Sequence, residues 1–128
     1  MSRIPEDLRY SPTYQWARRE ADGTVAVGIT DHAQAELGDI VYVELPKVGA
    51  TVKVGQPCMV IESVKAASDV HAPVSGEVAA VNETVAERPE CLNEDPYAHW
   101  LFRVRPSEPA EWETLLDADG YRRLLGED

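Results

Sequence analysis

The chain has 128 residues, 44% of them hydrophobic, which is enough to bury one core and too few for two domains. Its 12 Lys and Arg against 23 Asp and Glu leave a net charge of −11, which argues against nucleic acid or an anionic membrane as partner and suits docking on basic protein surfaces. No apolar run approaches a membrane span and the first ten residues lack a secretory core, so the expectation is one cytoplasmic domain over 1–128, with Cys58 and Cys91 as reduced thiols.

In chain order, Pro5–Pro12 reads as an extended lead-in and Tyr14–Arg18 as a first strand. Asp22-Gly23 signals a hairpin into a strand over Thr24–Ile29. Thr30 or Asp31 caps a short helix over His32–Leu37, with Gly38 in the stop position. Asp39–Leu45, Thr51–Val54, Cys58–Glu62, Val70–Ala72, Val74–Val81 and Trp100–Arg105 follow as strands. Between the last two, Asn82–Pro96 is acidic and broken by prolines, with room for one helical turn. The period then changes. Trp112, Leu115 and Leu116 are spaced for one helix face, with Pro109 in the first turn. Asp117 caps a second helix with Tyr121, Leu124 and Leu125 on one side. Short strands punctuated by Gly and Pro, then terminal helices, predict a small mostly-β sandwich or barrel.

Leu45–Gly55 aligns with Ala72–Asn82 at an offset of 27 residues, matching proline, glycine and the last valine, with Gly55 facing Asn82 as two types that tolerate a left-handed turn. Lys65 lies at the centre of this internal repeat, in the run Glu62-Ser63-Val64-Lys65-Ala66-Ala67-Ser68-Asp69. The repeat predicts two similar β-units related by a near dyad, with a hairpin carrying Lys65 exposed at one end. It is one of only three lysines, and a lone amine on such a tip is a handle for covalent modification.

These features together resemble the H-protein family of the glycine cleavage system. The resemblance is carried by Val27–Gln34, Leu37–Pro46, Glu62–Asp69, Ala72–Val78 and Asn93–Tyr97. Val64 and Ala66 beside the lysine resemble lipoyl carriers more than biotinyl carriers, whose lysine usually lies between methionines. The resemblance implies a barrel-sandwich hybrid and lipoate bound covalently to Lys65. It implies a carrier rather than an enzyme, because the dithiolane and not the protein supplies the chemistry. By resemblance the arm accepts the aminomethyl group of glycine from glycine decarboxylase, a pyridoxal-phosphate enzyme, and yields it to a folate-dependent aminomethyltransferase. Dihydrolipoyl dehydrogenase reoxidises the dithiol, and a lipoate ligase or lipoyl transferase attaches the group. Glu62, Ser63 and Asp69 flank the lysine as recognition residues, and Ser63 and Asp69 also suit a turn.

Two departures stand out. Thr13-Tyr14-Gln15-Trp16 has glutamine where the family has glutamate, and Pro96–Trp100 is shorter and lacks glycine. In the family the glutamate helps hold the amine of the loaded arm, and Gln15 brings no charge to that task. The loss leaves open a second reading within the resemblance: an H-protein-like lipoate-binding protein that carries sulfur intermediates to a heterodisulfide-reductase-like complex. His71 follows the lysine hairpin, where the family often has tyrosine, and is read as part of the arm's surroundings or as a structural histidine. His32, His71 and His99 show no metal-ligand spacing. Cys58 is expected in the core, and Cys91 in an exposed loop with a thiol open to exchange with the dithiolane. A Schiff-base enzyme is the rival class, but it requires a desolvated lysine, and the acids around Lys65 favour the charged form.

Overall fold

The computed structural model describes residues 3–126. Its strands are β1 (Arg9–Tyr10), β2 (Gln15–Arg19), β3 (Val25–Ile29), β4 (Ile40–Glu44), β5 (Thr51–Val52), β6 (Pro57–Ser63), β7 (Ala67–His71), β8 (Gly76–Val81) and β9 (Phe102–Pro106). One sheet runs β1-β2-β3-β9-β8-β5 and the other β4-β6-β7. Their inner faces enclose a core that includes Val27, Ile29, Ile40, Ile61, Val70, Val78, Phe102 and Val104. This is the two-sheet sandwich that alternating, turn-rich sequence predicts.

The helices are short: α1 (Asp31–Leu37), α2 (Glu83–Glu87), α3 (Cys91–Glu94) and α4 (Ala118–Leu125). Thr30 caps α1 by accepting from Ala33 N, and Asp117 caps α4 by accepting from Gly120 N, as the sequence predicts. Asn82–Pro96 holds two helices rather than one turn. The tail departs further. Pro109–Thr114 is a 3₁₀ helix, and Leu116 exchanges backbone hydrogen bonds with Tyr10 as an extra bridge on the larger sheet. Tyr121 is buried but Leu124 is exposed, so the predicted apolar face of the last helix is narrower than its sequence spacing implies.

A second apolar cluster covers the outer side of β2 and β3. Trp16 and Ala26 meet Tyr10, Ile4, Leu8 and Tyr121 of α4. Tyr10 and Tyr121 stack at 4.6 Å, and Trp16 donates its indole N–H to Pro96 O at 3.0 Å. The indole lies against Gly28, its cross-strand partner, in space that any β-carbon would occupy. Gly28→Ala therefore costs about 1–3 kcal/mol by overpacking. Urea unfolding should show a lower midpoint at unchanged slope, and a wild-type midpoint would mean that Trp16 has room to move.

Two antiparallel ladders nest around the β6–β7 tip. Thr51 faces Glu77 in one ladder and Glu62 faces Ala67 in the other, so both are centred within a residue of Lys65. One expected equivalence fails: Gly55 has a left-handed φ of +80°, but Asn82 is extended at −98° because it caps α2.

Candidate functional site

β6 and β7 end in a tip built by Ser63. Its backbone N–H donates to Ala66 O at 2.9 Å. Its Oγ accepts from Lys65 N at 3.2 Å and Ala66 N at 3.3 Å, and donates to Ala66 O at 3.2 Å. Ser63 thus acts as turn chemistry. Val64 N donates to Asp39 O at 3.0 Å, which ties the tip to the lead-in of β4. Val64, Lys65 and Ala66 are all exposed. Glu62 is exposed on the outer face of the smaller sheet, between Tyr42 and Ala67.

The Lys65 side chain crosses the C-terminal end of α1 and donates to Glu36 O at 3.1 Å. A helix C-terminus offers unpaired carbonyls and a negative dipole end, both favourable to an ammonium. Gly38, with φ +76°, both ends the helix and leaves space for the lysine, since a β-carbon there would meet Lys65 Cε at 2.9 Å. Among the described residues no carboxylate makes an ion pair with Lys65. An exposed amine on a carbonyl oxygen lacks the desolvation that a Schiff-base lysine needs.

Beside the hairpin lies a cavity of about 220 Å³ between α1, the edge strand β7 and the Thr13–Gln15 turn. Ile29, Leu37 and Ile61 give it apolar walls, and the carboxylate-bearing Glu36 and Asp69 border it. Gln15, 3% exposed, lies at its inner side. The Gln15 amide is already engaged: Oε1 accepts from Ser11 Oγ at 2.6 Å and Thr13 Oγ1 at 2.5 Å, and Nε2 donates to Thr13 O at 2.8 Å. The loop it holds contains Tyr14 at φ +76°, a positive φ rare outside glycine. Tyr14 packs its ring on His32 at 4.9 Å and lines the cavity.

The cavity thus brings Gln15 and Asp69 together beside Lys65, while other predicted residues fall elsewhere. His71 sits at the opposite end of β7, across from Pro57, with a buried Nδ1 that has no hydrogen-bond partner among the described residues, and it does not line the cavity. Tyr97–Trp100 is also outside it. The Tyr97 hydroxyl donates to Arg3 O at 2.6 Å and accepts from Asp31 N at 3.1 Å, pinning the N-terminal segment to α1, and burial pushes its pKa up to about 12. Cys91 is not exposed: it is fully buried in α3, out of reach of any dithiolane. Cys58 is only half-buried, its thiol donates to Val70 O at 3.4 Å, and burial raises its pKa to about 12. Sequence reasoning missed Glu36 and Tyr14. Nothing marks Glu36 except its place just before Gly38, and Tyr14 reads as strand because a positive φ at tyrosine has no sequence signature.

A family model described as glycine cleavage H-protein matches residues 8–128. The chain is 58% identical to glycine cleavage system H protein 2 of Pseudomonas putida over 127 residues, which cover 99% of this chain and 100% of that relative. It is 56% identical to a glycine cleavage system H protein of Escherichia coli, over 98% of each chain. A crystal structure of a glycine cleavage system H protein from Mycobacterium marinum superposes with a TM-score of 0.87 at 40% identity, covering 96% of this chain and 99% of that one.

Proposed function

Because this chain belongs to the glycine cleavage H-protein family, we propose that Lys65 is the residue on which it carries lipoate. The chain is a non-catalytic lipoyl carrier of the glycine cleavage system. One observation carries the assignment to Lys65: an exposed amine on a hydrogen-bonded hairpin tip, at the centre of two nested ladders, with a cavity beside it.

The residues present fit the group. The amine is exposed and makes one hydrogen bond, to Glu36 O, which amide formation would replace at little cost. The bound dithiolane supplies a redox-active disulfide that accepts and releases the cargo. Ser63 and Val64 fix where the tether starts, and a long tether on a fixed base raises the local concentration of cargo at each active site visited. Ile29, Leu37 and Ile61 offer an apolar resting place, and Asp69 and Glu36 place negative charge at its border. Glu62 and Val64, exposed beside the amine, are the groups that a lipoate ligase or lipoyl transferase would read. Glycine decarboxylase, the aminomethyltransferase and dihydrolipoyl dehydrogenase are the partners this reading requires.

A sulfur-carrying role is not favoured. Gln15 spends its amide on its own loop, the altered Tyr97–Trp100 stretch stands away from the cavity, and the relatives are named for glycine cleavage. The test is glycine–bicarbonate exchange by the decarboxylase with the lipoylated protein as carrier. Robust exchange supports the reading. No exchange, with normal reduction by dihydrolipoyl dehydrogenase, would overturn the aminomethyl cargo.

A further inference from the structure

We propose that a groove lined by Lys47 and Lys53 docks an acidic segment of a partner protein, a contact separate from the arm and its cavity. The groove, about 300 Å³, lies between β5 with its lead-in and the start of β6, and Thr51, Gln56, Pro46 and Pro57 also line it. No carboxylate residue contributes to its lining, in a chain whose net charge is −11. Two of the three lysines converge there, both exposed, and among the described residues neither has an ion-pair partner.

The fold does not require them. Both side chains are exposed and, among the described residues, neither makes a hydrogen bond or an ion pair that holds the fold. The surroundings suit an extended segment. β5 ends the larger sheet, so its outer edge has no strand partner, and Val48 and Val54 are exposed, at 62% and 43%, close by in sequence. Charge decides the occupant: two unpaired ammonium groups with Thr51 and Gln56 as neutral hydrogen-bonding neighbours fit the carboxylates of Asp or Glu. Nucleic acid needs an extended run of cations along its phosphates, and the groove offers two ammonium groups. The groove opens at the start of β6 and Lys65 follows its end, a strand length of roughly 20 Å, so a partner held there leaves the tip free to move.

The full chain, ¹⁵N-labelled, is titrated with hexaglutamate, with hexaglutamine as control. Expected are amide shifts confined to residues 47–56 with hexaglutamate alone, weakened by salt and by about tenfold or more in Lys47→Glu/Lys53→Glu. In assays with each partner enzyme in turn, that variant raises the KM for the carrier with at least one of them at unchanged kcat. Four outcomes overturn the proposal: no shifts or shifts elsewhere, equal binding of inorganic tripolyphosphate, self-association that the variant abolishes, or an unchanged KM with every enzyme. Exchange by the unsubstituted lipoylated protein is measured alongside, so loss of the carrier reading and loss of the docking site are told apart.

Discussion

Lys65→Arg should give a folded chain that gains no lipoyl group from a lipoylating enzyme and supports no glycine–bicarbonate exchange. The fold is expected to tolerate the change. Lys65 is exposed, the tip is held by Ser63 and Val64 rather than by the lysine, and a guanidinium also donates to Glu36 O. The chemistry is not expected to tolerate it. An amide to lipoate requires a neutral amine nucleophile at the moment of attack, and arginine stays protonated at any working pH. Intact mass reads the result directly: one lipoyl group added to the wild-type chain and none to the variant, at equal unfolding midpoints. A gain that persists in Lys65→Arg moves the attachment to Lys47 or Lys53 and sinks the present assignment.

The exposed hairpin tip that carries Lys65 was legible because the flanking strand-like runs and the turn chemistry of Ser63 pointed to the same place. Local rules were enough for the α1 cap, the Gly38 stop and the Asp22-Gly23 hairpin, where Thr24 donates twice to Asp22 Oδ1. They failed where tertiary contacts decide. Tyr14 sits at φ +76° because the loop closes through Gln15 onto Ser11 and Thr13, a network no window of sequence displays. Cys91 reads as loop beside prolines and acids, yet α3 buries it against the core. Leu115 and Leu116 have helical spacing, but Tyr10 draws Leu116 into an extended bridge. The cavity itself was invisible: Glu36, Asp69 and Gln15 come from three separated segments, and only the fold sets them around one space.

That convergence changes the meaning of Gln15. An amide at this position leaves an amine cargo without a counter-charge only when residue 15 is read alone. An ammonium entering the cavity meets Asp69 and Glu36 at its border and no lysine or arginine in its lining. Asp69, on the strand that carries the hairpin, is the better placed of the two, because Glu36 already lies 3.7 Å from His32. Asp69→Asn should therefore speed loss of ammonia from the loaded carrier, without partners present, by about twofold to fivefold, the worth of one solvent-exposed ion pair. Raising salt should narrow the difference, since the cavity opens to solvent at the Asp69 side. Gln15→Glu in the Asp69→Asn background should recover most of the loss by returning a carboxylate to the same space, whereas Glu62→Gln, outside the cavity, should change nothing. Amide shifts of Ile29, Ala33 and Val70 on loading provide a readout independent of turnover, and they should shrink with Asp69→Asn. A neutral sulfur cargo makes the opposite prediction, with neither Asp69→Asn nor Gln15→Glu altering retention, so this pair of substitutions separates the two cargoes by charge alone.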